Sequence, residues 1–342
     1  MRKHTTALVA SVFVLTSMPA LAHQGAPAET PAPTFKLEKL TDRAWCLFGQ
    51  GGNVAIYATG AGVVVVDDQY ETVAQGIVDQ IRSVTTEPIR YLVNTHYHAD
   101  HTGGNPVFIK LAEIVAHDTV RSRLLEYPEQ VKATFPARIE AMQKEIAGIA
   151  DPNDPYRVAL EKDVGLGKFF LDFSKDFKVE TAAPPGITFD RKITLWTGGR
   201  QVDILHAGPG HTDGDAMVYL RDEKVLHMGD LFFNGMYPFV DTAGGGSVAG
   251  IIRNIDAILG VVPADVRVIP GHGPVTDLAG LRRARSFLAE VREKVKQAVG
   301  KGMSRVEAVR TIRMDEYPDI KPSFRSLGNV VLAAYDELAP QR

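Results

Sequence analysis

The chain is 342 residues long and has one cysteine, Cys46, so no intrachain disulfide can staple it. Its stability must come from a buried core, and the length allows one large domain or two small ones. Cys46 sits between Trp45 and Leu47 in a strand-like run, the setting of a packed thiol rather than a reactive one. An excess of positive charge is also missing. The 38 basic and 41 acidic residues leave a net charge of −3 without any basic block, which excludes a nucleic-acid surface. Hydrophobic content of 45% and charged content of 23% are those of an ordinary globular protein. No Gly-x-Ser-x-Gly elbow occurs, so a serine nucleophile of that type is excluded.

Long apolar runs are scarce. The one near the start, Ala7 to Leu15, is too short to span a bilayer. Arg2 and Lys3 precede it and Ala20-Leu21-Ala22 follows, which predicts a secretory signal over residues 1–22 cleaved before His23. The mature protein is then expected in the periplasm or outside the cell, with no membrane insertion once the signal is removed. Pro27, Pro31 and Pro33 among small and polar residues predict a flexible leader over 23–39.

From Leu40 the pattern becomes regular. Arg43–Phe48, Val54–Ala58 and Gly62–Val66 read as strands punctuated by glycine-rich turns. Val73, Ile77, Val78 and Ile81 follow at helical spacing, and Ile89–Val93 and Ile114–Ala116 are further strands. A second β section runs from Ile187 to Met228, and Val266–Ile269 is a last buried strand. Between the two β sections, residues of about 118–183 break the rhythm. Ile139, Met142, Ile146 and Ile149 form a helical stripe there, and the segment reads as a helical insertion. Its role is open between capping a site, packing on a partner and extending the core. The tail from about 277 to 342 is helical, with a Ser304–Glu307 capping box, and carries no sign of chemistry. Strands alternating with helices predict an α/β layered architecture.

The chemistry concentrates in Asn94-Thr95-His96-Tyr97-His98-Ala99-Asp100-His101, directly after a buried strand. Residues i and i+2 of an extended segment share a side, so His96 and His98 are expected to address one point and Asp100 and His101 a second beside it. Imidazole and carboxylate donors at this spacing suit zinc. Further on, Gly210-His211, Gly229-Asp230 and Gly271-His272 each place a possible ligand beside a glycine at a strand end. His117, His206 and His227 lie in or beside strand-like runs and are expected to be structural. Asp213 and Asp215 are open between supporting the ligands and making a turn.

His96-x-His98-x-Asp100-His101, with Gly210-His211-Thr212, Gly229-Asp230 and Gly271-His272-Gly273 in that order, resembles the metallo-β-lactamase-fold hydrolases over roughly residues 42–275. The resemblance implies an αββα sandwich of two mixed β-sheets with helices on the outer faces. It implies two zinc ions per chain. His96, His98 and His211 would hold the first, Asp100, His101 and His272 the second, and Asp230 with a hydroxide would bridge them. Asp100 and Asp230 are thereby implied as the catalytic carboxylates. His98 at its position implies zinc rather than the di-iron centre of the family's flavoprotein relatives, which carry an acid there.

The substrate expected is a small molecule with a carbonyl group, β-lactams first. Asp230 is a departure, because the β-lactamases of the family commonly have cysteine or serine near that position, so a lactonase or thioesterase is the alternative. A non-catalytic metal-binding module is the alternative from another class. The loop after Asp230 offers Phe232, Phe233, Met236, Tyr237 and Phe239 as pocket walls, with Tyr237 the one hydroxyl able to assist an oxyanion. Oligomeric state is not legible in the sequence.

Overall fold

In a computed structural model the chain is described over residues 34–175 and 182–339. The expected signal at 1–22 and most of the expected leader lie outside these residues.

Two sheets form the frame. The first is built from β1 (Lys36–Lys39), β2 (Ala44–Phe48), β3 (Val54–Ala58), β4 (Val63–Val66), β5 (Ile89–Val93), β6 (Glu113–His117) and β7 (Ile187–Phe189), side by side in that order. It is antiparallel from β1 to β4 and parallel from β4 to β7. The second runs β12 (Arg267–Ile269), β11 (Val225–His227), β10 (Met217–Leu220), β9 (Arg200–Leu205) and β8 (Lys192–Thr197), and only its β11–β12 pair is parallel.

β1 corrects one expectation. Lys36–Lys39 pairs with β2, Leu37 opposite Leu47, so the flexible leader does not reach residue 39. The alternating Lys and Glu of this stretch mask the period-2 signal because an edge strand buries only one side weakly.

The central strands are apolar on both faces because both faces are covered. In β4, Val63 and Val65 pack toward α1 (Glu71–Val84) with Val73, Ile77, Val78 and Ile81. Val64 and Val66 point the other way, into the space between the sheets, where they meet Val202, Ile204, Val218 and Ile269. Cys46 lies in this inner layer, fully buried. On the far side of the second sheet, Met217, Tyr219, Leu226 and Val268 pack against α6 (Val248–Leu259) and α7 (Leu278–Gly300). The layering is the αββα sandwich.

α2 (Ala99–Thr102) and α3 (Asn105–Phe108) are single turns after β5. The segment read as an insertion is the connection between the parallel strands β6 and β7. It consists of α4 (Asp118–Ala147) and α5 (Pro155–Lys175), packed on each other. α8 (Arg305–Thr311) starts at the Ser304–Glu307 capping box, and α9 (Leu327–Leu338) packs on α5 and α7. Among the described residues no helix is long and apolar enough to cross a membrane.

Candidate metal centre

The candidate ligands gather at one edge of the sandwich because the strands that precede them end there. His96 and His98 follow β5, Asp100 and His101 lie on α2, Asp230 follows β11 and His272 follows β12. His211 stands in the loop between β9 and β10. The chain has already left the sheet at Val93, so His96 and His98 converge through a bend rather than through the alternation of a strand. The glycines act as expected at two points. Gly229 adopts a left-handed φ of 51°, and a Cβ on Gly271 would collide with Asp230 Oδ1.

Three ring nitrogens face one another in the first cluster. His98 Nδ1 lies 3.1 Å from His96 Nε2 and 3.0 Å from His211 Nε2. The opposite nitrogen of each ring is already engaged. His98 Nε2 donates to Asp241 Oδ2 at 3.0 Å, and His211 Nδ1 donates to the Phe239 carbonyl at 3.0 Å. His96 Nδ1 lies 3.1 Å from the Thr95 hydroxyl, whose own proton goes to Asp67 Oδ2. These partners fix the tautomers, so the three facing nitrogens carry bare lone pairs. Bare lone pairs at such separations repel unless a cation sits among them, and the donor set fits zinc.

In the second cluster His101 Nδ1 donates to Asp67 Oδ2 at 2.7 Å, which leaves Nε2 as the nitrogen that faces the cluster. That nitrogen lies 3.4 Å from His272 Nε2 and 3.6 Å from Asp100 Oδ2, and His272 Nε2 lies 3.2 Å from Asp100 Oδ2. Asp230 faces both clusters. Its Oδ2 is 3.9 Å from His96 Nε2 and 3.5 Å from His211 Nε2. Its Oδ1 is 3.2 Å from His101 Nε2 and 3.5 Å from His272 Nε2, and is buried without a hydrogen-bond partner. A carboxylate with one oxygen toward each cluster is the geometry of a bridging ligand.

Protonation differs between the clusters. Burial holds the His96 pKa well below its usual value and lowers that of His211 to about 4. For His272 burial works the other way from the outcome: the Asp230 and Asp100 carboxylates outweigh it and raise the pKa to about 9. Burial is likewise overcome at His101, which Asp230, Asp100 and Asp67 raise well above the ordinary value. Asp230 stays far below the usual carboxylate range because His272 and His101 outweigh its burial.

Two supporting carboxylates were not singled out from the sequence. Asp67, fully buried at the end of β4 with φ of 62°, accepts from the Thr95 amide at 2.7 Å as well as from Thr95 Oγ1 and His101. Asp241 accepts from His98, from the Tyr97 hydroxyl and from the Gly244 amide. An aspartate closing a strand of four valines was the available clue for Asp67, whereas a lone Asp241 in a glycine-rich loop reads as a turn residue. Asp215 accepts from the Thr212 amide and hydroxyl, and Asp213 pairs with Arg123 of α4 at 2.7 Å, so both brace the loop around His211. His227 donates to the Asn53 carbonyl, and His117 stacks on His206 at 3.9 Å, away from the ligands.

The aromatic loop is placed differently from expectation. Of its five residues only Phe239 lines the cleft of about 520 Å³ over the metal centre. Phe233 is buried and stacks on His272 with centroids 5.2 Å apart. Phe232 belongs to the core under the C-terminal helices, and Met236 lies with it at a small internal gap. Tyr237 stacks on Phe287 of α7 at 5.7 Å, turned from the cleft, so its hydroxyl is not an oxyanion donor. The turn chemistry of this loop sends its rings inward because the C-terminal helices offer an apolar surface there. The cleft walls come instead from Tyr70, from Leu166, Phe169 and Phe170 of α5, and from Phe324 of the tail. The tail therefore reaches the site, contrary to its bland sequence.

Comparison with known proteins agrees with this geometry. The sequence model of the metallo-beta-lactamase superfamily matches residues 48–272. The chain belongs to that superfamily. Beta-lactamase-like protein 2 homolog of Caenorhabditis elegans is 25% identical over 253 residues, 70% of this chain and 65% of the relative. A linear primary-alkylsulfatase of Pseudomonas sp. is 23% identical over 270 residues, 74% of this chain and 48% of the relative. The chain thus spans between about half and two thirds of the length of these curated relatives. The superfamily fold also recurs in solved structures. The metallo-beta-lactamase from Pontibacter korlensis superposes with a TM-score of 0.53 at 18% identity, covering 75% of this chain and 99% of that one. The sec-alkylsulfatase Pisa1 from Pseudomonas sp. gives 0.63 at 15% identity, covering 89% of this chain and 50% of that one.

Proposed function

We propose that this chain is a dinuclear zinc hydrolase that opens a carbonyl compound, with β-lactams the first candidate class. The observation that carries the dinuclear reading is Asp230, whose two oxygens address two separate groups of ring nitrogens. His96, His98 and His211 would hold one zinc, Asp100, His101 and His272 the other, and Asp230 would join them. Zinc in such a pair supplies a water acidic enough to be a nucleophile near neutral pH and a Lewis acid for the substrate oxygen.

The remaining work falls to the chain's own groups. Asp67 and Asp241 hold the rings of His101 and His98 in one tautomer and one orientation. Burial, with the Asp100 and Asp230 carboxylates, raises the Tyr70 phenol, so a protonated hydroxyl lines the cleft as a donor. Cys46 takes no part as a nucleophile: it is buried between the sheets, and burial raises its thiol pKa.

A second reading is hydrolysis of a sulfate ester. It is favoured by the alkylsulfatase of Pseudomonas sp. and by the alkyl/aryl-sulfatase BDS1 of Saccharomyces cerevisiae, 21% identical over 295 residues. A lactone or thioester remains the carbonyl alternative. We further read residues 1–22 as an export signal, which would bring the mature protein to substrates met outside the cytoplasm.

The test is hydrolysis by the mature protein of a cephalosporin, a carbapenem, an acyl-homoserine lactone and an alkyl sulfate, with and without a chelator. Chelator-sensitive β-lactam turnover is the expected result. Turnover of the sulfate ester alone would replace the first reading by the second, and no turnover with metal bound would reject both.

A further inference from the structure

One stripe of α5 borders the open cleft over the candidate ligands. Lys162, Leu166, Phe169 and Phe170 fall at i, i+4, i+7 and i+8, one stripe of the helix, and all four line the cleft that holds Asp100, Asp230 and His272. The opposite side of α5 is fully used. Tyr156, Ala159 and Leu160 are buried in the C-terminal core, and Asn329 of α9 donates to the Ala159 carbonyl at 2.9 Å. The helix is thus packed on the C-terminal core and on α4, where Phe170 meets Tyr127 and Phe135, and the stripe from Lys162 to Phe169 borders the metal centre. On that stripe Phe169 keeps 42% of its surface in water, and Phe324 across the cleft keeps 41%. Large rings left exposed in a concave site beside catalytic groups form a surface suited to the apolar part of a ligand.

Lys162 gives this wall a charge. Its ammonium donates to the Ser323 carbonyl at 2.5 Å, which holds it at the cleft, and two N–H donors remain. Among the described residues it has no carboxylate within 4 Å, although the neighbouring Asp163 is paired with Arg325 at 2.6 Å. Among the described residues no other lysine or arginine lines the cleft. A half-buried cation without a counter-ion, beside an apolar wall, is suited to an anion brought by the substrate.

We propose that the substrate is an amphiphilic anion, with its apolar part on Leu166, Phe169 and Phe324 and its charged group on Lys162. The inference deepens the hydrolase reading and rests on it only for which bond is broken. Within that reading it selects β-lactams or thioesters bearing a carboxylate, or sulfate esters, over neutral lactones. α5, supplied by the connection between β6 and β7, is then the element that sets specificity.

The test is binding of 1-octanesulfonate and octan-1-ol to the metal-loaded mature protein by calorimetry, with butanesulfonate as the short-chain control. A sulfonate is a poor metal ligand, so the head-group preference reads Lys162. Octanesulfonate is expected to bind about tenfold more tightly than octanol, the scale of one charge-assisted hydrogen bond. Lys162→Met should abolish that preference while leaving octanol binding unchanged, and Lys162→Arg should restore it. Phe169→Ala should weaken both eight-carbon ligands by about tenfold. Equal affinity for octanesulfonate and octanol in the unaltered protein, or a preference that survives Lys162→Met, would overturn the charged subsite. Butanesulfonate binding as well as octanesulfonate would overturn the apolar wall. The binding pattern without turnover of any substrate class above would remove the hydrolase reading and keep this one.

Discussion

The two halves of the metal centre use the same kinds of side chain in opposite electrostatic settings. In the first cluster His96 and His211 are fully buried, and burial keeps their nitrogens unprotonated far into acid. In the second, where the side chains of Asp100 and His272 keep 22% and 18% of their surface, carboxylates dominate and hold protons on His101 and His272 when metal is absent. A proton and a metal ion compete for the same lone pair. The first cluster is thus prepared for a cation over a wide pH range, whereas the second must release protons to accept one. Asp230 joins the two, so what happens at one cluster is felt at the other.

The largest effect is expected from removing that joint. Asp230→Asn should lower turnover by on the order of 10³-fold, corresponding to several kcal/mol of transition-state stabilisation, with an unchanged circular dichroism spectrum. Unaltered turnover would show that the clusters do not act together. Next come the two supporting carboxylates, which separate the halves. Asp67→Asn should weaken metal binding about 10–100-fold at the second cluster, and Asp241→Asn by a similar factor at the first. Competition with a chromophoric chelator would resolve the two, and identical effects on both ions would contradict the assignment.

Acidification should then distinguish the clusters without any mutation. Metal content measured after dialysis at falling pH should drop first at the second cluster, because protons return to His272 from about pH 9 downward while His211 stays unprotonated to about pH 4. Simultaneous loss of all metal would argue against the comparison. The metal-free protein should show the opposite trend in stability. The His272 pKa is raised from 6.5 to about 9 in the folded state, so its contribution is complete below pH 6.5 and lost as pH rises through 9. The melting temperature in chelator should therefore be lower at pH 9.5 than at pH 6.5. The smallest effect is at Tyr237, where removal of the hydroxyl in Tyr237→Phe should leave turnover within about twofold, since the ring packs on Phe287.

The regular strands were legible because each buries both faces or one face at period 2, as in Val63–Val66. β1 was missed because Lys36, Glu38 and Lys39 give an edge strand the composition of a linker. The walls of the cleft were harder. Both a buried ring and a pocket ring read as apolar, so the loop from Phe232 to Phe239 was indistinguishable from a cleft wall until its neighbours in α7 and the tail were in place. The stripe from Lys162 to Phe170 had the spacing of a helix, but nothing local said which side of that helix would be covered by α9 and which would face the ligands.

What the sequence by itself determined is the chemistry of the donors. Imidazoles and carboxylates clustered at His96–His101, followed by His211, Asp230 and His272 beside glycines, specify a metal centre because ligating power belongs to the side chain and to short-range spacing. What only the tertiary structure decided is the direction of each atom. That Asp230 turns one oxygen to each cluster, that Asp67 and Asp241 fix the ring tautomers, and that α5 and Phe324 wall the cleft all depend on contacts between residues far apart in the chain. Such contacts are set by the pairing of strands and the packing of helices on them, which no local pattern encodes.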